Sequence, residues 1–401
     1  MVEQVDVVVA GGGMVGATLA CALGEAGLRV ALVEQREPSG GWPPEEVDLR
    51  VSALTRASQR IFSHLGAWER MVALRVSPYR QMRVWDADGG GIGFAAAEIG
   101  EADLGHIVEN RVVQWALWER LRELATVTLW TPQRVAHFVH DPLRGMVVTL
   151  SGGEVLEAAL LVAAEGASSP VRESAGITSS GWAYDQSAVV ATITLEGAHG
   201  DTAYQRFMPS GPLALLPIND GRCSIVWSTS PLAAKRLVEL EERAFCQELT
   251  VASQRLLGRV LGVGPRACFP LRLRNADRYV LPGLALVGDA AHGLHPLAGQ
   301  GVNLGLLDAV ALVDVLLEAR EQGRGMGSLA TLRRYERARK GDDLAMLMLM
   351  DLFTRTFSNH NPLLRVVRNL GLEVADRAGP LKHLVMRRAL GLEGRLPRLA
   401  R

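Results

Sequence analysis

The stretch VDVVVAGGGMVGATLACALGEAGLRVALVE, residues 5–34, decides the fold of this 401-residue chain. Residues 5–10 form a short, almost wholly apolar run, which is typical of a strand buried on both faces of a parallel sheet. A glycine-rich turn follows at 11–16, and the pattern then predicts a helix over 15–27 and a second buried strand over 29–34. Strand, turn, helix and strand in this order predict the opening unit of a dinucleotide-binding domain.

Three glycines of this turn, Gly11, Gly13 and Gly16, stand at G-x-G-x-x-G spacing. In such a motif the first glycine permits a tight turn, the second lets a pyrophosphate approach the backbone, and the third allows the helix to lie close to the strand. Glu34 ends the second strand, where an acidic side chain accepts hydrogen bonds from a ribose. Because all parts are in register, a bound dinucleotide is favoured over glycines that serve only a turn. The candidate site includes the neighbours Met14, Val15 and Gln35.

The composition is that of an ordinary globular protein with room for two domains and a sizeable core. The formal net charge is zero, so there is no bulk electrostatic attraction to nucleic acid. The chain starts without the basic segment of a secretory signal, and glycines interrupt the uncharged run 7–24, which argues against a membrane span. Without C-x-x-C or metal-ligand spacing, the cysteines are expected to be reduced, buried thiols of a cytosolic protein: Cys21, Cys223, Cys246 and Cys268.

The pattern further along the chain alternates between two kinds of sheet. Hairpins are predicted at 79–95 and 134–150, and four strand-like runs between 187 and 230 indicate an antiparallel sheet. Long helices are predicted over 232–261, 302–320 and 328–350. The expected organisation is interleaved: a nucleotide domain of residues 1–75, 100–180 and 277–350, an antiparallel-sheet substrate domain of 76–99 and 181–276, and a basic helical segment of 351–401.

A second glycine-rich constellation follows a predicted strand at 284–288. Asp289 comes directly after that strand, and a loop then opens the helix that begins near Val302. An acid at a strand end can accept a hydrogen bond from a ribityl hydroxyl, and free N–H groups at a helix start attract an anion. This attraction is worth about 0.3–2 kcal/mol, and a reduced flavin carries such an anion. The spacing alone leaves two interpretations open: a flavin site, or a capped helix behind a tight turn.

The two constellations together resemble those of the single-component FAD-dependent aromatic hydroxylases, and within them the bacterial ubiquinone-biosynthesis hydroxylases. The resemblance covers essentially the whole chain and rests on Gly11-x-Gly13-x-x-Gly16, Glu34, Arg50-Val51-Ser52-Ala53, Gly105–Arg111, Gly288-Asp289 and His295–Asn303. It implies a fold like that of para-hydroxybenzoate hydroxylase, α/β with a Rossmann-like FAD-binding domain on a parallel sheet, an inserted antiparallel-sheet substrate domain and a C-terminal helical segment. NAD(P)H has no Rossmann domain of its own in this family, which agrees with the single G-x-G-x-x-G here.

The resemblance also implies which residues bind FAD. To the first glycine motif it adds Arg50, Arg111, Gln114 and Val135, and from the second constellation it takes Gly288, Asp289, Pro296, Gly299, Gln300, Gly301, Val302 and Asn303. Asp289 is expected to contact the ribityl chain. The family's Gly-Ala-Asp-Gly fingerprint is replaced here by Ala163-Ala164-Glu165-Gly166, which puts a role of Glu165 toward the pyrophosphate or NAD(P)H in question.

The implied reaction is a monooxygenation in which NADPH or NADH reduces FAD, O2 adds to give a flavin C4a-hydroperoxide, and an electron-rich phenolic ring is hydroxylated. No acid–base triad and no metal are therefore predicted. His292 is interpreted as structural, and His295 and Pro296 as lining the site. The substrate is expected between the flavin and the antiparallel sheet, with the candidate contacts Tyr204, Phe207, Pro217 and Trp227.

The C-terminal segment is basic, with ten Lys/Arg against three Asp/Glu from Leu352 onward. Asn361-Pro362 is typical of a helix start, an apolar stripe follows over 363–374, and a second basic helix is predicted around 381–390. Two interpretations stand: packing on the FAD domain, or a basic amphipathic surface for anionic lipid or a protein of a ubiquinone-biosynthesis complex. The second would make this cytoplasmic protein peripheral on the inner face of the membrane.

The resemblance implies a polyprenylated phenol or quinol as substrate. Residues 105–111 look more like the enzymes that act on 2-polyprenylphenol, the preferred interpretation, whereas 350–372 looks more like those that oxidise a later methoxy-methyl-quinol. A related FAD-dependent reductase or halogenase is the alternative within enzymes, although the chain has no W-x-W motif. A non-catalytic flavin-bearing scaffold is the alternative of another class. The sequence leaves open whether the chain forms a homo-oligomer.

Overall fold

The computed structural model describes residues 2–43, 45–86, 91–293, 301–357 and 379–401. Its strands, in chain order, are β1 (Val2–Ala10), β2 (Val30–Val33), β3 (Val51–Leu54), β4 (Ser77–Tyr79), β5 (Gln81–Asp86), β6 (Gly91–Ala95), β7 (Gly105–Glu109), β8 (Val127–Trp130), β9 (Val135–Asp141), β10 (Gly145–Leu150), β11 (Val155–Ala163), β12 (Ser179–Leu195), β13 (Thr202–Phe207), β14 (Leu213–Pro217), β15 (Cys223–Thr229), β16 (Val260–Ala276), β17 (Val280–Leu281), β18 (Leu284–Leu286) and β19 (His292–Gly293). Its α-helices are α1 (Met14–Glu25), α2 (Arg56–His64), α3 (Trp68–Leu74), α4 (Asn110–Glu123), α5 (Pro170–Ser174), α6 (Pro231–Glu239), α7 (Glu242–Ala252), α8 (Gly301–Glu321), α9 (Leu329–Phe357) and α10 (Gly379–Ala389).

The first strand lies in the middle of a mostly parallel sheet, with the strand order β17-β18-β11-β1-β2-β8. β1 pairs in parallel with both β2 and β11, and Val7, Val8 and Val9 are completely buried. Helices α1 and α4 contact strands of this sheet, and α8 packs on α1. Because three consecutive residues of β1 are buried, both faces of this strand are covered, as is typical of a parallel sheet. The strand, turn, helix and strand expected over 5–34 are confirmed.

A second sheet, mostly antiparallel, has the order β19-β16-β12-β15-β14-β13-β5-β6. One of its faces is covered by α6 and α7, where Val189, Ile225 and Phe245 form a core. On the opposite face, Ala214 and Leu216 pack with Ile107 of β7. The antiparallel sheet therefore lies between α6 and α7 on one side and β7 on the other.

A small sheet has the order β3-β7-β4, and it contacts β14 of the antiparallel sheet through β4 and helix α8 through β3. β3 leads directly into α2, and the side chain of Thr55 caps the first turn of this helix. Thr55 Oγ1 accepts a hydrogen bond from the N–H of Ser58 at 3.3 Å. The hairpins expected at 79–95 and 134–150 are present as β5–β6 and β9–β10.

The single long helix expected over 232–261 is wrong. Leu240 and Glu241 are both extended (ψ of 148° at each), which ends α6 and begins α7. The chain then turns through Gln254 and Arg255, which have positive φ angles, and enters β16 at Val260. Charged residues on the exposed face of two short helices resemble one long helix in sequence, and Gly and Pro residues hide the strand pattern of β16.

The described end of the chain packs on the protein body. On α10, Met386 is buried, and Leu390 just beyond it packs in the same apolar cluster as Tyr79. The Lys382 ammonium lies 3.0 Å from a carboxylate oxygen of Glu98. The basic helix expected around 381–390 is confirmed, whereas the stripe expected over 363–374 lies outside the described residues.

The four cysteines differ in their exposure to solvent. Cys21, Cys223 and Cys246 are buried free thiols, but Cys268 is exposed, so the expectation that all four are buried is wrong. Cys268 lies on β16, the strand that the sequence pattern did not reveal.

Within the described ranges, none of the helices combines the length and the apolar character that crossing a bilayer requires.

Candidate cofactor and active site

The three motif glycines differ in what surrounds them. Gly11 has φ +101°, and a Cβ there would lie 2.6 Å from the carbonyl oxygen of Ala164. A Cβ on Gly16 would lie 1.9 Å from the carbonyl oxygen of Gly11, so α1 rests directly on the turn. A Cβ on Gly13 would meet no atom within 4 Å. The first and third glycines are therefore required by the protein itself, while Gly13 borders open space that a ligand can approach.

The peptide of Gly12 holds this loop in place. Its N–H donates to a carboxylate oxygen of Glu34 at 2.6 Å. Its carbonyl oxygen accepts from Gln114 Nε2 at 3.0 Å and from Trp118 Nε1 at 2.8 Å, both on α4. Glu34 also accepts the N–H of Arg36 at 3.0 Å. A carboxylate has about four acceptor positions, so Glu34 keeps capacity for a ribose after these two bonds.

Glu165, the departure from the family fingerprint, caps a short helix. One carboxylate oxygen accepts from Ser169 Oγ at 2.7 Å and from the N–H of Val171 at 3.1 Å. Burial raises the pKa of Glu165, and its hydrogen bonds only partly oppose that rise. Its backbone N would lie 2.9 Å from a Cβ on Gly11. The backbone of Glu165 therefore lies beside the first glycine turn, while its carboxylate accepts hydrogen bonds from the start of α5.

The second constellation meets the first at Val15. Gly288 has φ +59°, and a Cβ there would lie 3.2 Å from a methyl carbon of Val15. On α8, a Cβ at Gly305 would lie 2.7 Å from the same side chain and 3.0 Å from the Cα of Gly288. Glycine at both positions allows α8 to lie against the start of α1. The described parts of the two glycine-rich stretches, distant in sequence, therefore meet at Val15.

Asp289 directly follows Gly288 at this contact, in a single 3-10 turn over Gly288–Ala290. Its side chain is exposed and makes no hydrogen bond to any other described residue. The two residues that open α8, Gly301 and Val302, are also partly exposed. An unpaired carboxylate and a helix start beside the open face of Gly13 form a surface suited to the ribityl chain and phosphates of FAD.

The Asn303 side chain is fully used inside the protein. Its Oδ1 accepts from the N–H of Thr55 at 3.0 Å and from Ser58 Oγ at 2.7 Å, and its Nδ2 donates to the carbonyl oxygen of Ala53 at 2.8 Å. With the side chain 2% exposed, only the backbone of this residue remains for a cofactor. Four further candidates lie outside the described residues: His295, Pro296, Gly299 and Gln300.

The two candidate arginines lie in different surroundings. Arg50 is exposed, and its guanidinium lies 5.6 Å from the ring centre of Phe269 on β16. Arg111 donates to carboxylate oxygens of Glu109 at 2.9 Å and of Glu46 at 2.7 Å. The structure therefore leaves Arg50 available to a ligand and engages Arg111 in ion pairs. Of the remaining candidates, Gln35 is exposed, and Val135 is buried at the start of β9.

Two of the substrate candidates point away from the nucleotide-binding part. Trp227 packs against Phe245 of α7, with ring centres 6.4 Å apart, and Tyr204 borders the same helix-covered core. Pro217 is buried on β14 and shares the alternation of Leu215, which belongs to that core. Phe207 is buried and has the opposite alternation on β13. The structure does not bring the four residues together.

The opposite face of this sheet carries small side chains that the sequence pattern did not single out. Val190, Val226 and Ala214 lie side by side on β12, β15 and β14. Ala188 and Ser228 form the next pair, and Ala188 also pairs with Phe269. Side chains alternate between the two faces of a strand, so one known core residue on each strand would have assigned these residues and Tyr204 and Trp227 to opposite faces.

A buried charge cluster lies directly behind the Asp289 turn. Asp308 accepts from His292 Nε2 at 2.6 Å and from Arg339 Nε at 2.7 Å, and Arg339 Nη2 donates to Asp343 at 2.6 Å. Ligand atoms of His292, Asp308 and Asp343 are close enough to share one metal ion. Arg339 already donates to both carboxylates, so the cluster has its own cation in place.

Opposite charges set the protonation of this cluster. Burial opposes a charge on His292, but Asp308 and Asp343 outweigh it and raise the pKa of His292 to about 9. Burial also opposes ionisation of Asp308, yet His292 and Arg339 hold its pKa below the usual value. For Asp343, burial and the charge of Asp308 raise the pKa to about 7. Near neutral pH the His292 ring is therefore protonated and paired with the Asp308 carboxylate.

Comparison with known proteins agrees with this geometry. The FAD binding domain family matches residues 4–347. The 3-demethoxyubiquinol 3-hydroxylase of Escherichia coli is 42% identical over 391 residues, which cover 97% of this chain and 99% of that protein. Ubiquinone hydroxylase UbiL of Rhodospirillum rubrum is 40% identical, covering 96% of this chain and 89% of its own length.

Among solved structures, the p-nitrophenol 4-monooxygenase PnpA of Pseudomonas putida superposes with a TM-score of 0.80 at 21% identity. The match covers 97% of this chain and 98% of the other, and it establishes the fold of the flavoprotein aromatic hydroxylases. Together with the family match over most of the chain, these relatives confirm the resemblance found in the sequence. The chain belongs to the FAD binding domain family and, within it, to the ubiquinone-biosynthesis hydroxylases, which makes it an FAD-dependent monooxygenase.

Proposed function

We propose that this enzyme hydroxylates the ring of a polyprenylated ubiquinone precursor, with FAD as its cofactor and NAD(P)H and O2 as co-substrates. The observation that carries the proposal is the contact of the two glycine-rich stretches at Val15. This contact lies two residues from Gly13, which borders open space, and one residue from Asp289, whose carboxylate is exposed. A dinucleotide with an adenosine half and a flavin half needs two such anchors at once.

The residues present fit FAD in chemistry as well as in shape. We assign the pyrophosphate to the backbone at Gly13, a ribose to the free acceptor capacity of Glu34, and a ribityl hydroxyl to Asp289. The N–H groups at the start of α8 would face the flavin ring, where negative charge develops on reduction. When bound, FAD supplies the electron transfer and oxygen activation that no side chain provides.

The substrate ring is assigned to the face of the antiparallel sheet that bears Val190, Val226 and Ser228. This face packs toward β3 and β7, and Arg50 and Phe269 lie next to it. Small apolar side chains leave room for a planar ring and exclude water from it, which favours transfer of oxygen over its loss. We therefore do not retain Tyr204 and Trp227 as substrate contacts.

The relative at 42% identity acts, by its name, on 3-demethoxyubiquinol. It favours this later quinol over 2-polyprenylphenol, the substrate preferred from residues 105–111 alone. A polyprenyl tail gains about 0.8 kcal/mol per CH2 on leaving water, so either substrate resides in a bilayer. The enzyme must then work at a membrane surface or receive its substrate from a carrier protein.

The test uses full-length holoenzyme, NADH or NADPH, and 18O2, with each candidate substrate supplied in phospholipid vesicles. The proposal predicts one 18O atom on the ring of demethoxyubiquinol and slower or no labelling of 2-polyprenylphenol. Labelling of the phenol alone would assign the earlier step. Oxidation of NAD(P)H with no label in either ring would favour a reductase, and a flavin that stays oxidised with NADPH and substrate present would favour a scaffold.

A further inference from the structure

One carboxylate inside the protein holds the 3-10 turn Gly288–Ala290, called the cofactor turn below because it carries Asp289. Asp308, on α8, is completely buried. Its Oδ2 accepts both the backbone N–H of Gly288, at 3.1 Å, and Nε2 of His292, at 2.6 Å. These two donors lie immediately before and shortly after Asp289. The exposed carboxylate that we assign to FAD is therefore carried on a turn whose two ends are bound to one buried atom.

Helix α9 in turn holds Asp308. Arg339 donates from Nε to Asp308 Oδ1 at 2.7 Å and from Nη2 to Asp343 Oδ1 at 2.6 Å. Both Arg339 and Asp343 are buried, and Asp343 lies one helical turn further along α9. A guanidinium that bridges two carboxylates in this way fixes both of them, because its N–H donors have a rigid planar geometry.

The cluster has little freedom to rearrange. Two cations, His292 and Arg339, face the Asp308 carboxylate and the carboxyl group of Asp343 in a space closed to water. The pKa of Asp343, raised to about 7, leaves that group partly ionised near neutral pH. Removing one charge would leave its partner buried without compensation, which is costly in a low-dielectric interior. Yet none of the four residues reaches the open surface beside Gly13. Their arrangement is therefore suited to setting the position of the turn, since they are shielded from direct contact with a ligand.

We propose that Asp308 is a positioning residue for FAD, held in place by Arg339 and Asp343, so that the packing of α9 sets the affinity for the cofactor. This inference rests on the proposed FAD site, and it adds three residues that touch neither FAD nor substrate. It links the cofactor turn to a helix whose far end, at Phe357, precedes the basic C-terminal segment.

The experiment measures FAD binding to reconstituted full-length apoprotein by the change in flavin fluorescence. The variants are Asp308→Asn, Asp343→Asn and the double variant. Glu321→Gln is the matched control, because Glu321 lies at the end of α8, is exposed, and its side chain makes no hydrogen bond or ion pair with another described residue. We expect each single variant to weaken FAD binding by about tenfold, within the range of typical couplings between sites, and the control to bind as the wild type does.

Two further readouts separate positioning from general destabilisation. Since Asp343 acts through Asp308, the double variant should bind no more weakly than Asp308→Asn alone. At saturating FAD, the visible circular dichroism of the bound flavin should differ from that of the wild type in both single variants. If Asp308→Asn fails to fold, Arg339→Lys replaces it, because lysine keeps the charge but cannot bridge both carboxylates.

Wild-type affinity in Asp343→Asn, or additive losses in the double variant, would overturn the inference. An unchanged flavin spectrum combined with lowered stability of the apoprotein would also overturn it, because the cluster would then be only structural. A wild-type protein that binds no FAD would instead contradict the proposed function.

Discussion

Asn303 Oδ1 accepts the backbone N–H of Thr55 at 3.0 Å and thereby joins the first turn of α8 to the first turn of α2. Asn303 belongs to the family motif that is expected to bind the flavin. Its side chain instead links two helix starts, and the same oxygen accepts from Ser58 Oγ. The residue orients the helix start that faces the cofactor, and its backbone is the part that can contact FAD.

Replacing Asn303 with alanine should therefore lower stability before it changes any chemistry. The N–H of Thr55 would lose its acceptor in a buried position, which costs about 1–3 kcal/mol. Urea unfolding of the apoprotein measures this loss, and Asn219→Ala, at an exposed position, serves as the control. An Asn303→Ala apoprotein as stable as the control would show that the three hydrogen bonds have no net effect.

Gly13 and Gly16 should respond in opposite ways to the same substitution. Gly13→Ala places a methyl group in open space, so the apoprotein should unfold as the wild type does. FAD binding should weaken by at least about tenfold, or about 1.4 kcal/mol, because the methyl group occupies the path of the pyrophosphate.

Gly16→Ala should instead destabilise the apoprotein by about 1–3 kcal/mol, the usual cost of forcing a group into a packed region. Here the methyl group would meet the carbonyl oxygen of Gly11 at 1.9 Å. Thermal unfolding and FAD titration of the two variants side by side provide the comparison. If both variants bind FAD as tightly as the wild type does, the assignment of the pyrophosphate to this loop is contradicted.

Asp289→Ala should yield largely FAD-free protein. The carboxylate is exposed and makes no other hydrogen bond among the described residues, so its removal should leave the fold intact. A hydrogen bond to a charged group contributes about 1.5–3 kcal/mol, and FAD binding should weaken by that amount. The ratio of flavin to protein absorbance after purification measures occupancy, with Glu321→Ala, at an exposed position at the end of α8, as control. Full occupancy in Asp289→Ala would remove this residue from the site.

The stability of the apoprotein should fall as the pH rises from 6.5 to 9. In the folded chain the pKa of His292 is raised to about 9 from its ordinary 6.5, so the folded state binds this proton more tightly than the unfolded state does. The stabilisation is complete below pH 6.5 and is lost as the pH approaches 9, a loss of about 3 kcal/mol from this residue. The pKa of Asp343 is raised from 3.8 to about 7, so its contribution is lost over a lower window, as the pH rises from 3.8 towards 7.

His292→Asn should flatten the pH dependence of the unfolding free energy within that window. His137, exposed on β9, provides the control in His137→Asn, which should retain the wild-type slope. Equal slopes in the wild type and His292→Asn would show that the ring is neutral in the folded protein, and would argue against the charge pairing described here.

The sequence predicted those parts of the site that lie within one continuous segment. The run from Val5 to Glu34 contains strand, turn, helix and acid at fixed spacing, so its fold follows from local geometry. The basic helix α10 and the start of α8 were predicted for the same reason. Local patterns failed at β16, where Gly, Pro and Arg residues obscure the strand, and at α6 and α7, where two short helices have the charge pattern of one.

Contacts between distant segments were not predictable in this way. His292 was interpreted as structural, but its partners Asp308 and Arg339 lie on two separate helices. Trp118 was not singled out, although it donates to the same Gly12 carbonyl as Gln114, because one buried Trp does not reveal its partner in sequence. Trp227 was a substrate candidate because the substrate was expected beside the antiparallel sheet, yet the register of β15 directs it into the helix-covered core.

The most direct test of the account is the crystal structure of the FAD-bound protein. We expect the pyrophosphate beside Gly13, a ribose hydroxyl at Glu34, and the ribityl chain within hydrogen-bonding distance of Asp289, with the flavin ring facing the start of α8. FAD bound away from the surface where Val15 meets Gly288, or a flavin ring remote from α8, would contradict it.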